Sequence, residues 1–269
     1  MNKDKKLKKP VASFVFLTNI IFWPLFCIAG IIKMLAFPAW LFDIAFIIAA
    51  WSSTFAFAIP FKRIYPGERF ISFVKSKFTT KLKLSVLVTA AGLQVFIFIV
   101  TLCLVTKNSE AGSLLVFSTW GALIYHFSLQ LVSGPMGEEL GWRGFAQMEL
   151  QKRYSPLKAS IIIGFWWGLW HLPLWFTTGY SGMELIQYIF FFMMALFATK
   201  IVMTAFYNLN QNLVIPILIH QLFNFFVGLI NGNLLEIIMY SAALYAVAAI
   251  VLIIINPKHV LYGKKYGVK

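Results

Sequence analysis

Long apolar runs broken by short polar clusters organise this chain from end to end. Runs of sufficient length fall near residues 11–35, 38–60, 84–105, 114–148, 158–177, 185–207, 212–230 and 234–255. About 20 apolar residues in helical form cross the hydrocarbon core of a bilayer. Within that core a backbone must satisfy its own hydrogen bonds, and helices do so. The pattern predicts an all-α, polytopic membrane bundle of about eight transmembrane helices. The fourth run is too long for one straight span, and Gly134, Pro135 and Gly137 are expected to interrupt or bend it. Its last part is expected to lie at the interface. No soluble domain, repeat or low-complexity segment is visible. The first run is too long for a signal peptide and shows no small-residue cleavage site before Lys33, so it is expected to be retained.

Composition strengthens this reading. Hydrophobic residues make up 60% of the 269 and charged residues 12%, with a mean hydropathy of +0.81. Soluble domains average about 25% charged residues. Cys27 and Cys103 lie inside apolar runs and are expected to be small buried residues, not a disulfide or metal pair.

The net charge of +14 suggests nucleic acid until its distribution is considered. Nineteen of the 23 lysines and arginines fall in the N-terminal tail, 61–83, 152–158 and the C-terminal tail. The alternate loops hold only Lys33 and Lys107. Cations clustered between apolar runs suit anionic lipid, not nucleic acid. The positive-inside rule with an even number of spans puts both termini in the cytoplasm of a multi-pass cell-membrane protein. Segment 61–83 interleaves Lys62, Arg63, Arg69, Lys75, Lys77, Lys81 and Lys83 with Phe70, Ile71, Phe73, Val74 and Phe78. It suits either a helix lying on the cytoplasmic leaflet or a solvated loop.

Ionisable groups at membrane depth are costly, which makes them functional candidates. Glu138, Glu139 and Arg143 form the first cluster. Glu139 and Arg143 are four apart and can pair on one helical face, while Glu138 points about 100° away and stays free to act on water. A structural ion-pair network is the plainer alternative. His171 follows Trp166, Trp167 and Trp170 in a helix that Pro173 should kink. It reads as a catalyst or as a hydrogen-bonded core residue, and the tryptophans could belong to an aromatic belt. His220 and Asn224 share a face and serve either chemistry or interhelical bonding. Depth connects the three clusters, because Glu138, His171 and Asn224 each lie roughly 18–20 Å along their helices from the cytoplasmic side. Asp43, His126 and Glu184 fall near outer ends and read as interfacial. Lys200, about two turns from the cytoplasmic end, should snorkel.

At these residues the chain resembles a known family. GEELGWRG at 137–144 resembles the EExxxR motif of the CPBP family (CAAX proteases and bacteriocin-processing enzymes, also called Abi). WGLWHLP at 167–173 resembles its FxxxH motif with Trp167 in place of Phe, and HQLFN at 220–224 matches HxxxN. The motifs fall within roughly 135–225; the first 110 residues match only in hydropathy. The resemblance divides the chain into N-terminal membrane helices (1–110) and a catalytic membrane core (111–269). It implies an intramembrane endopeptidase that cleaves a membrane-associated protein or peptide, in some members a prenylated CAAX tail. By position, Glu138 and His171 would activate water and His220 with Asn224 would hold the oxyanion. Glu139 and Arg143 would support them, and Trp167 would affect only packing beside His171.

Zinc is possible, with Glu138, His171 and His220 as ligands, and the family is often labelled metalloprotease. HExxH is absent and Asn is a poor zinc ligand, so metal-free hydrolysis is favoured. A non-catalytic immunity or scaffold protein is the alternative. A proton-coupled transporter is disfavoured by the lack of an internal repeat.

Overall fold

The computed structural model describes residues 7, 9–107, 114–117 and 119–263. Most lysines of the N-terminal tail, together with Lys264, Lys265 and Lys269, lie outside them. Among the described residues there is no β-strand, only an antiparallel bridge between Leu115 and Ile230.

Helical segments occupy all eight predicted positions, several of them in pieces. Helix α1 covers Pro10–Met34, and α2 (Ala39–Ala50) bends by 43° into α3 (Ser52–Ala58). Short helices α4 (Phe61–Ile64) and α5 (Phe70–Ser76) precede α6 (Leu84–Thr106). The fourth segment comprises α7 (Trp120–Val132), α8 (Pro135–Glu139), a π-helix over Leu140–Gln147 and α9 (Met148–Gln151). After α10 (Pro156–Trp170) and α11 (Leu172–Trp175) come α12 (Gly182–Leu209), α13 (Val214–Leu229) and α14 (Leu234–Ile255). Four of these, α1, α6, α12 and α14, are each long and apolar enough to cross a membrane, and the bent pair α2–α3 makes a fifth. The chain is thus a multi-pass, all-α membrane bundle. Its interrupted segments are the ones that carry the polar motifs.

Helix α12 is central. Of its most apolar stretch 61% is buried, against 22% for α1, and it packs along α10 and α14. Lipid-facing helices can expose apolar side chains because their solvent is itself apolar. For the same reason Cys27 and Cys103 are outward-facing free thiols, not the buried residues expected.

The fourth segment corrects the sequence reading. Residues 141–147 are all buried, so this stretch lies inside the bundle and not at the interface. Gly141 makes this possible: a Cβ there would stand 2.6 Å from the Ser53 carbonyl oxygen. A switch from α to π winding leaves carbonyls near the junction without their usual partners. Helix α3 supplies substitutes, since the Ser53 hydroxyl lies 3.1 Å from both the Gly137 and Glu138 carbonyls and Thr54 Oγ1 donates to that of Gly137 at 2.7 Å.

Candidate active site

Three interruptions in helical winding bring the polar residues together. Gly134 separates α7 from α8 with a non-helical backbone (φ −145°, ψ −99°). A Cβ on Gly134 would stand 3.1 Å from Asn224 Nδ2 and 3.8 Å from Glu138 Oε1, so the missing side chain lets α13 approach the carboxylate. The π-helix then carries Arg143 beneath Glu139. On α10, the winding stops at Trp170, and His171 occupies the junction with α11, two residues before Pro173.

Each histidine has one nitrogen committed. His171 Nδ1 lies 2.7 Å from the Trp167 carbonyl. A carbonyl only accepts, so Nδ1 carries the proton and Nε2 is left as the acceptor. His220 Nδ1 lies 2.7 Å from Glu139 Oε1. The other Glu139 oxygen pairs with Arg143 Nε at 3.0 Å, as the four-residue spacing predicts. Glu138 Oε2 accepts a 2.7 Å hydrogen bond from Trp167 Nε1.

Glu138, Trp167, His171, His220 and Asn224 all line one cavity of about 370 Å³, whose other walls include Phe22, Phe192 and Ile238. Glu139 and Arg143 do not line it; they are fully packed behind it. A larger groove of about 570 Å³ between α1 and α10 contains none of the motif residues, and Asn19 is its single polar lining residue.

Sequence reasoning underestimated two residues. Trp167 does more than pack beside His171. Its indole N–H holds Glu138, its face receives the Arg143 guanidinium at 3.9 Å, and its ring edges meet both His171 and His220. The signal was present in the sequence, because Trp167 and His171 are four apart on one face. Lys200 does not snorkel. It is fully buried, its Cγ would meet a Cβ on Gly164 at 3.7 Å, and Nζ has no hydrogen-bond partner among the described residues. Helix α12 is enclosed on too many sides for the ammonium to reach water. The aromatic-belt reading also fails for two tryptophans of this run, since Trp167 and Trp170 are buried and only Trp166 is exposed.

Zinc would need several donors converging on one point. Among the described residues, no three His, Cys, Asp or Glu side chains form such a cluster. Glu138, His171 and His220 line a shared cavity, each with one atom bonded to a protein partner.

Comparison with known proteins supports the same segment. A membrane bundle with buried acidic and histidine side chains, and a half-buried histidine and asparagine, around one cavity is the architecture to be matched. Residues 119–226 match the family described as type II CAAX prenyl endopeptidase Rce1-like, and they contain all the motif residues. A CAAX prenyl protease 2 of Methanococcus maripaludis is 36% identical over 138 residues, covering 48% of this chain and 46% of that protein. Over this segment the chain is similar to CAAX prenyl endopeptidases. The aligned stretch spans about half the length of that relative.

Proposed function

We propose that the chain is an intramembrane endopeptidase that hydrolyses a peptide bond of a membrane-associated protein or peptide without a metal ion. One observation carries the reading: a free carboxylate, two histidines and an amide, drawn from three separate helical segments, face one cavity with otherwise mostly apolar walls. Peptide hydrolysis needs a base for water, donors for the oxyanion and exclusion of bulk solvent.

In this mechanism water sits between Glu138 and His171. Glu138 Oε1 takes the proton while His171 Nε2 accepts a hydrogen bond from the same water. The oxygen attacks the peptide carbonyl carbon, and the carbonyl oxygen becomes an oxyanion held by the Asn224 amide and the His220 Nε2–H. That His220 role requires the doubly protonated ring, with Nδ1–H donating to Glu139 and Nε2–H facing the cavity. Glu138 then gives its proton to the amide nitrogen, the C–N bond breaks, and a carboxylic acid and an amine leave, the acid's proton passing to the amine to give carboxylate and ammonium. Trp167 keeps the Glu138 carboxylate aimed at the cavity throughout. Residues 111–269 form the catalytic core in this reading, in a cell-membrane protein with both termini in the cytoplasm.

The test is product identification by mass spectrometry after incubating purified wild type and Glu138→Gln with the host membrane proteome. New peptide termini should appear only with the wild type, and should persist after exhaustive chelation. Activity lost on chelation and restored by zinc would reverse the metal assignment and make His171 and His220 ligands. Reporter fusions near residue 75 and at both termini should all report cytoplasm; a periplasmic signal at residue 75 would reject the orientation.

A further inference from the structure

Segment 61–83 combines charge, exposed apolar surface and rigid attachment in a way that no part of the proposed reaction uses. Within the segment its seven basic residues are set against a single acid, Glu68. Arg63, Arg69, Lys75, Lys81 and Lys83 are all exposed. Among them lie apolar side chains that are also uncovered: Ile71 is 63% exposed, Phe78 42% and Leu82 37%. The other face of the segment is anchored, with Phe73 buried against Phe57, Phe61 and Tyr65. The Tyr65 hydroxyl donates to Glu149 Oε1 at 2.5 Å, tying this region to the end of α9. Burial and the Glu149 carboxylate push the Tyr65 phenol up, so it keeps the proton it donates.

The second half of the segment is bonded to the chain just before α13. Lys83 N donates to Asn210 Oδ1 at 2.8 Å, and Asn210 Nδ2 donates to the Lys81 carbonyl at 3.1 Å. Asn212 Nδ2 reaches the carbonyls of Phe78 and Thr80 at 3.0 and 2.7 Å. Leu213 N donates to the Lys77 carbonyl at 2.9 Å. The helix that follows carries His220 and Asn224.

We infer that 61–83 is a binding platform for the headgroups of anionic phospholipids, and that occupying it steadies the N-terminal end of α13. The choice of lipid follows from position and composition. Helix α6 enters its apolar run at Leu84, directly after Lys83, which sets the platform at headgroup level. Exposed apolar side chains between the cations suit the headgroup–acyl boundary, whereas a solvated acidic protein would leave them uncovered. Each basic residue near an anionic surface adds attraction that salt weakens.

The full chain, purified in neutral detergent, provides the test. It is titrated with phosphatidylglycerol or phosphatidylcholine while its melting temperature is followed. Phosphatidylglycerol should raise the melting temperature saturably and phosphatidylcholine should not. The gain should shrink at least about twofold between about 0.1 M and about 1 M salt, as the Debye length falls from about 10 Å to about 3 Å. The variant Arg69→Gln/Lys75→Gln/Lys81→Gln/Lys83→Gln should need roughly fivefold more phosphatidylglycerol or above for the same shift. The variant Lys33→Gln/Lys107→Gln, changed at the other end of the bundle, should match the wild type. Equal stabilisation by both lipids, or equal loss in the Lys33/Lys107 variant, overturns the proposal. Stabilisation by poly-glutamate as strong as that by phosphatidylglycerol also overturns it, in favour of an acidic polypeptide partner. If the fourfold variant does not fold, the salt response of the wild type decides.

Discussion

Glu138 and Glu139 are adjacent in the chain and face two different interiors. In front of Glu138 is a cavity of about 370 Å³ shared with His171, His220 and Asn224. Glu139 does not line that cavity and is fully buried. Its two oxygens meet Arg143 and His220, Arg143 continues to Met203 Sδ at 3.1 Å, and Lys200 is buried nearby on the same face of α12 as Met203. One carboxylate is held by a single indole N–H in the wall of the cavity, while both oxygens of its neighbour lie against protein partners. A residue's type and depth do not assign its work; the space left beside it does.

The most sensitive way to sharpen this contrast is Glu138→Gln. The amide keeps the shape and loses the base, so turnover should fall by about 10²–10⁴. The melting curve in detergent should stay close to that of the wild type. An early-melting Glu138→Gln would place this residue with the structural group and break the comparison.

Glu139→Gln should show the opposite profile. It leaves Arg143 charged inside the bundle, and breaking a buried pair costs about 3–5 kcal/mol. The melting temperature and yield should drop, and turnover per folded molecule should fall less than in Glu138→Gln, since only the Glu139 partner of His220 is lost. Replacing both partners, as in Glu139→Gln/Arg143→Met, should recover part of the stability, because no uncompensated guanidinium remains. A stable but inactive Glu139→Gln would show that the two carboxylates have exchanged roles.

Gly141→Ala tests whether the buried π-helix depends on close contact with α3. The added methyl meets the Ser53 carbonyl, which is backbone and cannot rotate away. Overpacking of this kind costs about 1–3 kcal/mol, readable as a lower melting temperature. Gly121→Ala, with open space around its Cβ, is the control and should melt like the wild type.

Trp167→Phe should lower turnover less than Glu138→Gln does. It supplies the Phe of the FxxxH motif that 167–171 resembles and removes the N–H bonded to Glu138. A hydrogen bond to a charged group is worth about 1.5–3 kcal/mol, so kcat should fall about tenfold or somewhat more while the melting temperature changes little. Unchanged kcat would mean that Glu138 needs no indole to hold its orientation.

Much of this architecture was legible beforehand. Eight apolar runs of sufficient length located the helices, because lipid rewards continuous apolar surface whatever the neighbouring helices are. The four-residue spacing of Glu139 and Arg143 foretold their ion pair, and the matched depths of Glu138, His171 and Asn224 foretold a shared level in the bundle. These are consequences of local helical geometry, which a sequence specifies directly.

What remained for the tertiary structure to decide was where helical geometry fails and which side chains are enclosed. The π-winding of 140–147 depends on Ser53 and Thr54, more than 80 residues away, to receive carbonyls that the switch in winding frees. The burial of Lys200 depends on α12 being surrounded, which its own sequence does not state: a lysine two turns from a helix end snorkels on an outer helix and cannot on a central one. Trp167 became a partner of Glu138 only because α10 and α8 meet at that height. Hydropathy and spacing therefore determined the helices and the polar residues they carry. Packing between distant segments determined which of those residues face a cavity, because enclosure is set by neighbours that no local pattern encodes.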